Sequence, residues 1–216
     1  MITVVVGVGP GMGMALARRF GRDGSTLALV ARRAEALTAY AEELGAEGIT
    51  AHGFPADVSD EASLRAAFAA VRTTLGDPDV LVYNASVSVS GTPGEISPEA
   101  AVEVFRVGAI GALVSLQEVL PAMRARDAGT VLVTGGGLGV RPWPPATALG
   151  MSKAAVRNLV LAAARDLADT GVHVGTVTIM GVVGAPGLDP ADIAERFWDL
   201  HTQPRGSWDT EVTLGT

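Results

Sequence analysis

Lys153, in the stretch ATALGMSKAAV, is the one lysine among sixteen basic residues; all the others are arginines. An ammonium is a compact point charge that a guanidinium does not replace in a fitted pocket, so Lys153 reads as a cation that holds a ligand. A second candidate lies near the other end of the chain. GVGPGMG, Gly7 to Gly13, follows an apolar run and opens into a helical pattern. Gly7, Gly9, Gly11 and Gly13 allow a tight turn and a close approach of backbone amides to a diphosphate. The helix start at Met12 supplies the anion site. The G-x-G-x-x-G spacing fails at Met12; the spacing that fits is G-x-x-x-G-x-G through Gly7, Gly11 and Gly13.

Further along, VARRAEAL places Arg32 and Arg33 where a site for NAD usually carries a carboxylate for the adenosine ribose. Guanidinium groups suit a 2′-phosphate instead, which favours NADP over NAD. Asp57-Val58 and Asn84-Ala85 follow two later apolar runs. Asp57 alone reads equally well as a helix cap and Asn84 as a turn residue; their joint occurrence at strand ends is the signal.

These residues need a scaffold that brings strand ends together. Short β-branched runs occur at ITVVVGV, TLALVA, ITAHGFPA, DVLVYNA, TVLVTGG, VHVGTVTI and TEVTL, separated by helical patterns rich in Ala, Leu, Glu and Arg. Ser97-Pro98 and Asp189-Pro190 are helix starts, each with a capping oxygen and proline at the first helical position. Apolar strands alternating with helices predict a parallel sheet covered on both faces, with right-handed crossovers and ligands at the carboxyl ends of the strands. The expected fold is α/β: a single-domain, doubly wound Rossmann-like sheet of about seven strands over residues 1–216.

Composition narrows the classes. The chain has 216 residues, 48% of them hydrophobic, no cysteine and a formal charge of −7. No disulfide, thiolate site or Cys nucleophile is available, no metal-ligand spacing occurs, and the acidic balance argues against nucleic acid. ITVVVGVG is too short to span a bilayer and has no basic leader. A cytoplasmic protein with a small-molecule substrate and no membrane partner is expected.

On GVGPGMG, the ARR of the second strand, ADVSD, YNAS, the helix FRVGAIGALVSLQEVLPAM and GMSKAAV, nearly the whole chain resembles the short-chain dehydrogenases/reductases. The resemblance implies a nicotinamide cofactor held by the residues named above and by Gly181 and Val182 after the sixth strand. It further implies hydride exchange with a carbonyl or alcohol, and a homodimer or homotetramer built on two long helices. It makes Lys153 both the catalytic lysine and a ligand of the nicotinamide ribose. The family's tyrosine, serine and asparagine fall on Leu149, Gly136 and Gly108, and its Pro-Gly reads Met180-Gly181. Leucine has no proton to give, and losing a positioned acid costs about 10²–10⁴ in rate.

Arg141, Trp143 and Leu149 are expected to border the substrate, with Ser86, Ser88 and Ser90 lining the same mouth. Tyr40 is expected in outer packing, and Tyr83 near the adenosine half. His201 is expected to cap carbonyls at a helix end; His52 and His173 are expected to be structural. GVVGAPGLDPADIAERFWDLHTQPRGSWD is short for a substrate cover, so the cleft is expected to be open or closed by a neighbouring subunit. Three functions remain open: an NADP(H)-dependent oxidoreductase with an unconventional proton source, a non-redox isomerase, cyclase or dehydratase, and a silent NADP(H)-binding partner.

Overall fold

A computed structural model describes residues 1–215. Seven strands form one sheet: β1 (Ile2–Val6), β2 (Thr26–Ala31), β3 (Ala51–Pro55), β4 (Val80–Tyr83), β5 (Gly129–Thr134), β6 (Val172–Met180) and β7 (Glu211–Gly215). Their order is β3-β2-β1-β4-β5-β6-β7, and every pairing is parallel. The fold is therefore the doubly wound sheet that the sequence predicts, with strand order reversing between β1 and β4, where ligands bind in such sheets.

Alternate residues of each strand feed two cores. Val4 and Val6 of β1 join Leu64 and Phe68 of α3 (Glu61–Thr74), Val119 of α5 (Gly111–Arg126) and Val160 of α6 (Thr147–Asp166). Val5 points the other way, toward Leu16 and Phe20 of α1 (Met12–Arg22), Leu37 of α2 (Ala34–Ala46) and Phe197 of α7 (Pro190–His201). Burial on both faces is the reason the central strands read as continuous apolar runs.

The expected helix starts hold. The Ser97 hydroxyl accepts from the Ala100 amide at the head of α4 (Pro98–Phe105), and the Asp189 carboxylate accepts from Ala191 at the head of α7. At α3 the cap is Asp60, which accepts from the Ala62 and Ser63 amides. Asp57 is not a helix cap.

Between α4 and α5 the chain makes a π turn, Arg106–Ile110, which the sequence pattern does not announce. Tyr83, 2% exposed, explains its position: the phenol donates to the Val107 carbonyl, and a Cβ at Gly111 would stand 2.2 Å from the phenol oxygen. Only glycine lets the helix pass this close.

Candidate active site

One cleft of about 830 Å³ opens at the carboxyl ends of β1 to β6. Its floor begins at the turn between β1 and α1. Gly7 has φ +86°, and a Cβ there would lie 2.5 Å from the Ala85 nitrogen, so neither its backbone nor its surroundings accept a side chain. A Cβ at Gly13 would lie 2.7 Å from Val8 Cα, whereas Gly9 and Gly11 face open space. The cap position Gly11 offers no side chain, and the Met14 and Ala15 amides are taken by the Gly9 and Gly11 carbonyls. Among the described residues, the Met12 and Gly13 amides find no carbonyl. The turn therefore presents unpaired donors beside an open space, which fits a diphosphate.

Asn84 braces this floor. Its Nδ2 donates to the Gly7 carbonyl at 3.1 Å, its Oδ1 accepts from the Thr134 hydroxyl at 2.9 Å, and its own amide donates to Val6. One side chain thus ties the ends of β1, β4 and β5. Asn84 and Ala85 line the cleft, as do Gly7 and Met12; Gly9, Gly11 and Gly13 do not.

At the β2 end the two arginines part company. Arg32 lines the cleft and makes no ion pair among the described residues. Arg33 stands outside, its carbonyl accepting from Leu37 to start α2. Asp57 and Val58 line the same end. The Ser59 amide and hydroxyl, at 2.9 and 2.8 Å, hold the Asp57 carboxyl below the usual carboxylate range, and Arg32 lowers it further.

At the β5 end, Lys153 reaches in from α6. Its Nζ donates to the Thr134 carbonyl at 2.7 Å, and burial pulls its pKa down to about 8. Its methylenes run past Gly136, where a Cβ would stand 3.3 Å away. Leu149, one turn earlier on α6, lines the cleft. Gly108 sits in the π turn against Ser152; a Cβ there would be 2.1 Å from the Ser152 hydroxyl, which donates to the Val104 carbonyl at 3.3 Å. A larger residue at 108 requires Ser152 to move. Arg141, Trp143, Gly181 and Val182 complete the lining on this side.

The expectations for Tyr83, His201, His52, Ser88 and Ser90 need correction, while those of a structural His173 and a short segment that does not cover the cleft agree with the structure. Tyr83 points under the π turn rather than toward the cleft, and burial pushes its phenol well above the usual range. His201 caps no carbonyl among the described residues: its Nδ1 faces the Thr130 hydroxyl at 3.0 Å, beneath Phe20 and Trp198. His52 is exposed on the edge strand β3. His173 is buried, stacked on Trp208 with ring centres 5.0 Å apart, and bonded through Nε2 to the Asp209 carbonyl. Of the three serines, Ser86 alone lines the cleft. Helix α7 is no cover: it lies along α1, with Trp198 edge-on to Phe20 and under the Arg19 guanidinium.

The cleft also holds residues that sequence reasoning passed over. Thr134 supplies both the hydroxyl for Asn84 and the carbonyl for Lys153; the strand end TVLVTGG was the available signal. Glu103 and Val107 reach the cleft from α4 and the π turn, and Val183 from the loop after β6; nothing in their spacing marks them. Among the described residues no helix is long and apolar enough to cross a membrane, and no cluster of three His, Asp or Glu could hold a metal.

Known proteins are similar to this chain in sequence and fold. A profile of the short chain dehydrogenase family matches residues 1–189. The putative ketoacyl reductase 1 of the granaticin polyketide synthase from Streptomyces violaceoruber is 34% identical over 96% of this chain and 73% of its own length. The NADP-dependent 3-hydroxy acid dehydrogenase YdfG of Salmonella typhi is 30% identical over 94% of this chain and 90% of its own. A crystal structure of a metagenomic short-chain oxidoreductase in complex with NADP superposes with a TM-score of 0.91 at 29% identity, covering 100% of this chain and 98% of the other. With a family match that runs from the Gly-rich turn past β6, and relatives that span nearly the full sequence, the chain belongs to the short chain dehydrogenase family.

Proposed function

We propose that the protein is an NADP(H)-dependent oxidoreductase that acts on a carbonyl or alcohol with a catalytic set reduced to Lys153. The observation that carries this reading is the placement of two cations along one cleft. Arg32 leaves β2 and Lys153 faces the end of β5, with the open glycine turn between them. Three strand intervals separate β2 from β5, roughly 14 Å at ~4.8 Å each, a span suited to a dinucleotide. Relatives named as an NADP-dependent dehydrogenase and a ketoacyl reductase, and a neighbour bound to NADP, support the cofactor and the reaction class.

In this reading Arg32 binds the 2′-phosphate, the Met12 and Gly13 amides take the diphosphate, and Asp57 and Val58 border the adenine. Asn84 keeps the floor rigid. Lys153 Nζ holds the inner ribose while remaining on the Thr134 carbonyl. The bound coenzyme supplies or accepts hydride. Reduction of a carbonyl also needs a proton, and Leu149 has none. Ordered water or an acidic group of the substrate itself would supply that proton to the forming alkoxide, and Lys153 Nζ, its pKa lowered by burial, would replenish it. Gly181 and Val182 border the nicotinamide, and Leu149 excludes solvent from the α6 side. Exposed Val102, Phe105, Ile110 and Met151 on the α4–α5 and α6 surfaces support a homodimer or homotetramer through those helices.

Calorimetry with NADPH and NADH tests the cofactor: NADPH is expected to bind more tightly. Arg32→Ala should weaken NADPH about 10–100-fold, the worth of a charge-assisted hydrogen bond, and leave NADH nearly unchanged. Turnover followed at the nicotinamide absorbance with a carbonyl panel should be slow, and Leu149→Tyr should raise it by about 10²-fold or more. No heat with either coenzyme at millimolar concentration would overturn the proposal. A second reading, a silent NADP(H)-binding subunit, is favoured by the glycines at 108 and 136. It predicts tight NADPH binding with no turnover before or after Leu149→Tyr.

A further inference from the structure

We propose that the substrate is a largely apolar carbonyl compound carrying a carboxylate, and that Arg141 receives the carboxylate while Trp143 covers the apolar body. This rests on the oxidoreductase reading of the cleft and adds the substrate class. The two ends of the cleft differ in chemistry. The β2 end is polar, with Arg32 and a hydrogen-bonded Asp57. Around the buried Lys153, the mouth of the β5–β6 end is mostly apolar and exposed: Trp143 is 60% and Val182 76% accessible, and Val183 and Val87 stand out beside them. Large apolar side chains held in water around one opening mark a ligand surface.

Arg141 is the cation at that opening. Nine arginines of this chain are ion-paired, as where Arg157 grips Glu211 with two nitrogens and Arg65 and Arg72 share Glu118; of the six that make no ion pair among the described residues, Arg22, Arg32, Arg33, Arg106, Arg141 and Arg165, only Arg32 and Arg141 line the cleft. The Arg141 guanidinium makes neither an ion pair nor a hydrogen bond among the described residues. Glu103, the carboxylate that lines the cleft from α4, stays beyond ion-pair distance. A planar guanidinium with its donors unspent matches the two oxygens of a carboxylate.

The loop that carries Arg141 and Trp143 is stiff. The Arg141 amide donates to the Gly137 carbonyl at 2.7 Å, Ala146 closes onto the Trp143 carbonyl, and Thr147 Oγ1 donates to Pro144. Gly91 donates to Pro145 and bridges Ala146, tying the loop to the strand-4 side of the cleft. Three prolines, at 142, 144 and 145, fix the remaining backbone. Little ordering entropy is left for a ligand to cost. The loop also joins β5 to α6, so it holds Arg141 on the same side as Leu149 and Lys153. A carboxylate on Arg141 thus leaves the rest of the molecule directed into the cleft toward Lys153.

The test uses the full chain loaded with NADPH and a matched pair of probes, 3-benzoylpropionic acid and its methyl ester, titrated by calorimetry. The acid is expected to bind about ten-fold or more tightly than the ester. Arg141→Gln should erase that difference while leaving the ester's Kd in place, and Trp143→Ala should weaken both probes several-fold. NADPH affinity, measured first in each protein, reports the coenzyme end separately. Equal affinity for acid and ester with NADPH bound would overturn the substrate class and leave the coenzyme reading intact. So would a loss for Arg141→Gln that is the same for both probes. Failure of NADPH itself to bind would overturn both.

Discussion

Lys153 shows what a buried ammonium costs the fold. An ammonium drawn out of water is destabilised by desolvation, and a single hydrogen bond to the Thr134 carbonyl offsets only part of that. In the unfolded chain the group titrates near 10.5, and in the fold at about 8. Below pH 8 both states are protonated and the full desolvation cost is present. Between 8 and 10.5 the unfolded chain binds more protons, so stability rises with pH in that window. Lys153→Met should therefore stabilise the protein at pH 7 by about 2 kcal/mol, with the gain shrinking at pH 10, as urea denaturation at the two pH values will read. The same variant should lose NADPH affinity, a combination that a solvated surface lysine would not produce. Arg32 and Arg33 make the complementary point: adjacent and chemically identical, they differ because Arg33 is the cap residue of α2 and stands outside, while Arg32, one residue earlier, lines the cleft.

At the scale of elements, the turn from β1 into α1 does two kinds of work. Gly13 lets the helix pack against Val8, while Gly9 borders empty space. Gly13→Ala should cost about 1–3 kcal/mol, the usual range for overpacking, because the obstructing atoms are backbone. Gly9→Ala should stay within about 0.5 kcal/mol of the parent. Thermal melts of the two variants will separate the packing glycine from the permissive one. The π turn is held in a similar way, by Tyr83 below and Gly111 beside it. It places Gly108 against Ser152 and Val107 at the cleft. Helix α7 answers a different need. Its aromatic face, Phe197 and Trp198, covers the sheet and α1, so the short segment after β6 builds a core layer rather than a cover.

Across the whole molecule, the two ends of the sheet are assigned to different tasks. Strand tips carry the cleft, and strand starts carry two histidines, the buried His173 at the head of β6 and the half-buried His201 against Thr130 of β5. Burial holds both below the usual imidazole range, and each is further tuned locally: His173 lowers His201, while Asp79 opposes that. Arg205 and Asp127 pair with each other nearby, joined through Asp127 to the Gly171 amide. The unfolded chain takes up protons at these histidines as pH falls through 6.5, and the fold resists, so stability drops toward acid. Melting temperature should fall between pH 7.5 and 5.5, as each histidine lowers the unfolding free energy by up to about 1 kcal/mol per pH unit. His201→Gln should flatten that slope while NADPH affinity stays unchanged.

The sequence by itself determined the seven strands, the doubly wound class and the residue types gathered at the strand tips, because central strands buried on both faces leave unbroken apolar runs. The turn GVGPGMG, the lone Lys153 and the caps at Ser97 and Asp189 were legible for the same reason: each is a local requirement of backbone or charge. Only the tertiary structure decided that Asp60 and not Asp57 caps α3, that Tyr83 turns under a π turn, and that His201 meets Thr130. It alone brought Glu103 into the cleft with Arg141 and Trp143. These are matters of side-chain direction, set by neighbours far away in the chain, and no local pattern of residues encodes them.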